Sequence, residues 1–190
     1  MKSELEEIVI AKIKSGDVNA FRYIVDKYKS YVFNISLKIL KNREDAEESS
    51  QDTFMKAFKS AAEFRNESKF STWIYRIAYN NAVSRTRKKP VSMESIDGEY
   101  ELNYVSEVTG ALDSLSQSER SRFIKKAMEM LNEEDSILLN LYYWQDSSMA
   151  EVASVTGLNE NQVKVKIHRA RQKLNRNLCE NLGIAIKDIL

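Results

Sequence analysis

A chain of 190 residues with five glycines, one proline and 43% hydrophobic residues has room for one domain or two small ones and favours helix throughout. One cysteine, Cys179, and one histidine, His168, exclude an internal disulfide, a thiolate-rich zinc site and a nucleophile, base and orienter set built on several histidines. With 29 basic against 28 acidic residues the net charge is only +1, so a polyanionic partner must be met by the sorting of charge along the chain.

The first apolar turns, at Leu5, Ile8, Val9 and Ile13, are weakly amphipathic and end at Gly16. Asp17 is placed to cap a long helix whose apolar positions Phe21, Ile24, Val25, Tyr28, Val32 and Ile35 recur at the spacing of one buried helical face. A second helix is predicted from about Glu44 to Ala61, with Ala46, Thr53, Phe54, Ala57, Phe58 and Ala61 turned inward. Glu47, Glu48, Gln51 and Asp52 crowd its first half. Acids there complement the helix dipole or form a surface for a basic partner, and periodicity does not choose between the two.

After a polar loop, Phe64 to Lys69, the run FSTWIYRIAYNNAVSRTRKK opens as an aromatic-rich helix and closes on Arg85, Arg87, Lys88 and Lys89. Trp73, Ile74, Ile77 and Ala78 have core spacing, which leaves Tyr75, Tyr79 and Asn80 as the freer groups. Four cations in five residues call for solvation or an anionic partner, and their mixture with aromatics suits a nucleic-acid backbone with unpaired bases.

Residues 1–89 carry 18 basic and 12 acidic side chains, whereas 90–118 hold Glu94, Asp97, Glu99, Glu101, Glu107 and Asp113, no basic residue, and Pro90, Gly98 and Gly110. Without a sustained apolar period, that stretch reads as a flexible acidic linker. The expected fold is all-α: an N-terminal helical bundle, 1–89, and a C-terminal helix-turn-helix domain, 119–190, joined by the linker. No signal peptide or membrane span is expected, and the absence of a disulfide framework suits a cytoplasmic protein.

The segment SMAEVASVTGLNENQVKVKIHRARQKL, Ser148 to Leu174, reads as two helices around a glycine turn. Ser148 with Glu151, and Asn159 with Gln162, have capping-box spacing, and Gly157 supplies the backbone freedom of a tight turn. Val152, Ala153, Leu158, Val163 and Ile167 form the apolar stripe. Lys164, Lys166, His168, Arg169, Arg171 and Lys173 then form a cationic ridge suited to phosphates and base edges; an ordinary solvated helix face is the plainer alternative.

Three segments in order, DAEESSQDTFMKAF (45–58), FRNESKFSTWIYRIAYNNAVSRTRKK (64–89) and the helix-turn-helix, resemble the extracytoplasmic-function (group IV) sigma factors of bacterial RNA polymerase. The resemblance spans roughly residues 8–180. It implies that Asp45, Glu48, Gln51, Asp52 and Phe54 dock on core polymerase, although Ser49 and Ser50 stand where the family has bulky aliphatics just before the glutamine. It implies that Arg65, Asn66 and Lys69, with Asn80, receive a nucleotide flipped from the minus-10 element, while Arg76, Arg85, Arg87 and Lys88 hold the DNA backbone. At the minus-35 element, Lys164, Val165, His168 and Arg169 would read bases, and Gln162, Lys166, Arg171 and Lys173 would meet phosphates. The implied partners are core RNA polymerase, promoter DNA and an anti-sigma factor; no cofactor, metal or catalytic residue is implied, and the acidic linker would follow the RNA channel. A stand-alone helix-turn-helix regulator, binding a palindromic duplex without polymerase, is the competing reading.

Overall fold

A computed structural model describes residues 2–86 and 116–182. Arg87, Lys88 and Lys89, the acidic residues 94–113 and the tail 183–190 lie outside the described residues. The described chain forms eight α-helices and contains no strand. It divides into two compact units, 2–86 with 151–157, and 116–150 with 158–182.

The first unit is built on α1 (Lys2–Lys14), α2 (Val18–Leu40), α3 (Arg43–Ser60) and α4 (Phe70–Thr86). Gly16, at φ 90°, turns the chain between α1 and α2. Asp17 then caps α2, accepting from the backbone N–H of Asn19 at 2.9 Å and of Ala20 at 3.2 Å. The expected α2 face is the core: Phe21, Ile24, Tyr28, Val32 and Ile35 are all buried, and α2 packs on both α3 and α4. Lys41 in the left-handed region ends α2, and Asn42 caps α3 by accepting from Asp45 N–H at 3.0 Å.

In α3, Ala46, Thr53, Ala57 and the following Ala61 are buried as expected, while Phe58 is 36% exposed and lies edge-on to Phe21 at 5.0 Å. Ser49 and Ser50 are also buried. Ser49 Oγ accepts from Ser36 Oγ at 3.4 Å, the Ser49 carbonyl accepts from Thr53 Oγ1 at 2.8 Å, and Ser50 Oγ donates to the Ala46 carbonyl at 2.6 Å. These hydroxyls face other helices or their own backbone, away from solvent.

Tyr75 is a correction to the expectation of a freer side chain. It is buried against Tyr31 at 4.3 Å and Tyr28 at 5.8 Å, because α4 turns this ring towards α2. Burial pushes the Tyr31 phenol well above the ordinary tyrosine range.

The second unit contains α5 (Gln117–Glu129), α6 (Glu133–Leu139) and α8 (Glu160–Leu182), with α8 packed on both of the others. A capping box opens α5: Ser116 N–H donates to Glu119 at 3.1 Å, and the Ser116 hydroxyl accepts from the Glu119 N–H. Ala127, Leu178 and Cys179 form a buried cluster with Phe123, Ile124 and Leu174 alongside, and Asn177 Nδ2 donates to the Ala127 carbonyl at 3.0 Å. Cys179 is thus a packing residue, its thiol pushed up by burial. One π turn, Asn140–Trp144, extends α6 and leaves Tyr143 and Trp144 half exposed. The remaining helix, α7 (Met149–Thr156), leads through Gly157 into α8.

Candidate nucleic-acid interface

Local rules set the geometry of the helix-turn-helix. Gly157 has φ 76°, a region that costs a residue with a β-carbon about 1–2 kcal/mol, and its N–H closes α7 on the Ala153 carbonyl at 2.9 Å. The predicted second capping box is present in both directions. Asn159 Oδ1 accepts from Gln162 N–H at 2.8 Å, and Gln162 Oε1 accepts from Asn159 N–H at 3.0 Å.

On α8 the buried side is Val163, Ile167 and Ala170. The helical period therefore turns Gln162, Lys164, Val165 and Arg169 to the exposed side, with His168 half-buried at its margin. Val165 is 50% exposed, an apolar group on a cationic face where a thymine methyl offers a matching contact.

Two of the lysines assigned to phosphates have carboxylate partners within the protein. Lys166 Nζ lies 2.7 Å from Glu134 Oε2, and Lys173 Nζ lies 2.7 Å from Asp135 Oδ2. Both acids belong to the first turn of α6, which Asn132 caps by accepting from Asp135 N–H at 2.8 Å. These acids were missed from sequence because they stand 32 and 38 residues from their lysines, beyond any local pattern. Arg171 is half-buried on the opposite flank of the helix.

In the first unit, Arg65, Asn66 and Lys69 are exposed in the loop before α4, with Asn66 in the left-handed region at φ 57°. The loop is anchored by three packed rings, Phe64, Phe70 and Trp73, whose centroids lie 5.1 to 5.3 Å apart. Arg76 and Asn80 stand four apart on the exposed side of α4, one above the other. Phe64 and Phe70 are buried, so these rings brace the loop, while Arg65, Asn66, Lys69, Arg76 and Asn80 are exposed polar side chains.

On α3, Glu48 and Gln51 are exposed, whereas Asp45, Asp52 and Phe54 are half-buried, Phe54 lying edge-on to Phe21 at 6.5 Å. Arg85 of α4 reaches across to this face. It donates to Glu48 at 3.0 and 3.1 Å and makes a short contact with Asp52. The hydrogen bond and charge of Arg85 hold the Glu48 carboxyl below the usual carboxylate range, and the two acids in turn raise the arginine. A cation assigned to DNA is thus joined to two acids assigned to polymerase.

Comparison with known proteins places the chain in a family. Sigma-70 region 2 matches residues 24–90, and Sigma-70, region 4 matches residues 122–174. The chain is 31% identical over 176 residues to the ECF RNA polymerase sigma factor SigW of Bacillus subtilis, covering 89% of this chain and 94% of that one. The chain belongs to the ECF RNA polymerase sigma factors. In fold, the sigma factor resembles CnrH, solved in complex with the cytosolic domain of CnrY, with a TM-score of 0.61 at 22% identity over 92% of this chain and 97% of that chain. It also resembles RpoE of Bartonella quintana, solved with the anti-sigma factor NepR, with a TM-score of 0.60 at 23% identity over 85% and 98%. The region 2 match covers α2 from Ile24 onward, α3 and α4, including the loop and the Arg85 bridge, and the region 4 match covers α5 from Arg122 onward, α6, α7 and α8 as far as Leu174.

Proposed function

We propose that this sigma factor docks on core RNA polymerase through Asp45, Glu48, Gln51, Asp52 and Phe54 of α3, and carries two DNA-reading surfaces to the promoter. The acids and the amide of α3 suit a cationic partner surface. Arg65, Asn66 and Lys69, with Asn80, take a base extruded from the minus-10 element, where polar contacts offset a few kcal/mol of lost stacking. Arg76, Arg85, Arg87 and Lys88 extend that surface along the backbone. At the minus-35 element α8 reads bases with Lys164, Val165, His168 and Arg169, and Gln162 and Arg171 meet phosphates; Lys166 and Lys173 do so only in competition with Glu134 and Asp135.

Residues 1–89 form the melting and docking domain, 90–115 the acidic linker and 116–190 the minus-35 domain; the expected boundary at 118 moves back because Ser116 caps α5 and residues 117 and 118 are already helical. The sigma factor contributes no catalytic group, metal or cofactor; RNA synthesis belongs to the polymerase. It acts in the cytoplasm, and no helix among the described residues is long and apolar enough to cross a membrane. An anti-sigma factor is its regulator, as NepR is bound to RpoE in the structure similar in fold.

The observation that carries the DNA reading is the exposed Lys164, Val165 and Arg169 edge of α8, backed by buried Val163, Ile167 and Ala170. The stand-alone regulator reading is disfavoured because relatives across nine-tenths of the chain are polymerase sigma factors. Run-off transcription with sigma-free core polymerase on a pool of promoter fragments tests the proposal. Discrete transcripts that need this protein are expected. Absence of transcripts, with no co-elution with core, would return the stand-alone reading.

A further inference from the structure

α4 is strapped to α3 by two side chains one turn apart. Asn81, 6% exposed, donates Nδ2 to the Ser49 carbonyl at 2.9 Å and accepts from Lys56 Nζ at 2.6 Å. Four residues on, and so on the same side of α4, Arg85 bridges Glu48 and Asp52. Buried Asn81 fixes the register of the two helices, and that register delivers Arg85 to the acids. The side chain of Arg85 is 25% exposed, against 67% for Glu48 and 42% for Asp52, so the carboxylates keep an open side that a second cation can approach.

We infer that Arg85 is an exchange latch between the two faces of region 2. This rests on the reading of Glu48 and Asp52 as polymerase-docking residues. A cationic partner of these carboxylates competes with Arg85 for their lone pairs. A DNA phosphate competes with the carboxylates for the Arg85 fork, which suits either anion in the same bidentate manner. The first ligand to arrive opens the bridge, and the second finds it already open. Docking on polymerase and gripping single-stranded DNA therefore favour each other, by the same factor in either order. For a bridge at this exposure the factor is about fivefold.

The test uses the full-length protein as wild type, Arg85→Met, the pair Glu48→Gln with Asp52→Asn, and all three substitutions together. Each is titrated with sigma-free core polymerase and, without polymerase, with labelled single-stranded DNA of randomised sequence. Arg85→Met is expected to bind core about fivefold more tightly, because the docking acids are unmasked. The carboxamide pair is expected to bind single-stranded DNA about fivefold more tightly than wild type, with the gain absent when Arg85 is also replaced. An equal gain with and without Arg85 would mean that only net charge had changed, and the latch would be wrong. Weaker core binding by the carboxamide pair, with no tightening by Arg85→Met, would overturn the latch and leave the docking reading standing. Core binding that is the same for Arg85→Met and for the triple variant would overturn the docking reading and the latch with it, since without Arg85 the acids have only the polymerase to lose. Should Arg85→Met lose its helical circular dichroism, Arg85→Lys keeps the charge without the fork; tightening of core binding by about twofold supports the latch, and none opposes it.

Discussion

Ser49 has no exposed surface and is surrounded by Ser36, Thr53 and Asn81, so the position where the family has an aliphatic belongs to the packing between α3 and its neighbours rather than to the docking face. Restoring the aliphatic separates the two roles. Ser49→Leu should add volume beside groups that still need hydrogen bonds, destabilising the protein by about 1–3 kcal/mol without tightening its binding to core polymerase. Chemical denaturation and a core titration check both halves; a clear gain in core affinity would put Ser49 on the docking face after all. Two cations one turn apart on α8 also differ in role. Arg169→Ala should lose about 1–3 kcal/mol at the preferred minus-35 sequence and much less on scrambled DNA. Lys173→Ala should leave that preference unchanged while lowering stability by about 1–2 kcal/mol, since it leaves Asp135, whose side chain is 7% exposed, without its cation; the exposed lysine end keeps the loss below that of a fully buried pair. Competition binding on specific and scrambled duplexes, beside thermal melts, distinguishes a reading residue from a bracing one.

For the elements, the turn between α7 and α8 offers the cleanest separation of backbone from side-chain effects. A β-carbon on Gly157 would meet nothing within 4 Å, so substitution there acts through φ alone. Gly157→Ala should cost about 1–2 kcal/mol, and Gly157→Asn less, because asparagine tolerates the left-handed region. Equal losses in thermal melts would mean that the turn tolerates another conformation. This turn was legible in the sequence because glycine, the Asn159–Gln162 spacing and the apolar period of α8 all point to one geometry. The core face of α2 was legible for the same reason. The inward turn of Ser49 and Ser50 was not, since a period counted in apolar residues passes over buried hydroxyls that bond within their own helix or to a neighbouring one. Nor was the π turn at Asn140–Trp144, which has no local composition cue. The cations of α8 and the cluster from Arg85 to Lys89 were candidates by charge and spacing, and Arg65, Asn66, Lys69, Asn80 and Val165 by the family resemblance, but the acids that meet Lys166, Lys173 and Arg85 were hidden. Arg85 meets its acids across 33 and 37 residues of chain, and only the packing of α4 on α3 brings them together.

At the scale of the whole molecule, the sigma factor has two DNA-reading surfaces on one chain, joined by an acidic stretch outside the described residues, and this makes minus-35 and minus-10 binding a bivalent event. Once one element is bound, the local concentration of the other surface depends on linker length. Beyond the length that just spans the two sites it falls roughly as the −3/2 power, so doubling the segment 90–115 with Gly/Ser sequence should lower promoter occupancy on core polymerase by about threefold. Replacing Glu94, Asp97, Glu99, Glu101, Glu107 and Asp113 with their amides at unchanged length leaves that tether term alone and removes six negative charges. If the linker follows the basic RNA channel, the amide variant should bind core more weakly at low salt, with the difference shrinking as ionic strength screens the charges. If the linker is only a tether, the length variant should respond and the amide variant should not. Parallel salt titrations of core binding and promoter occupancy for the two variants separate length from charge.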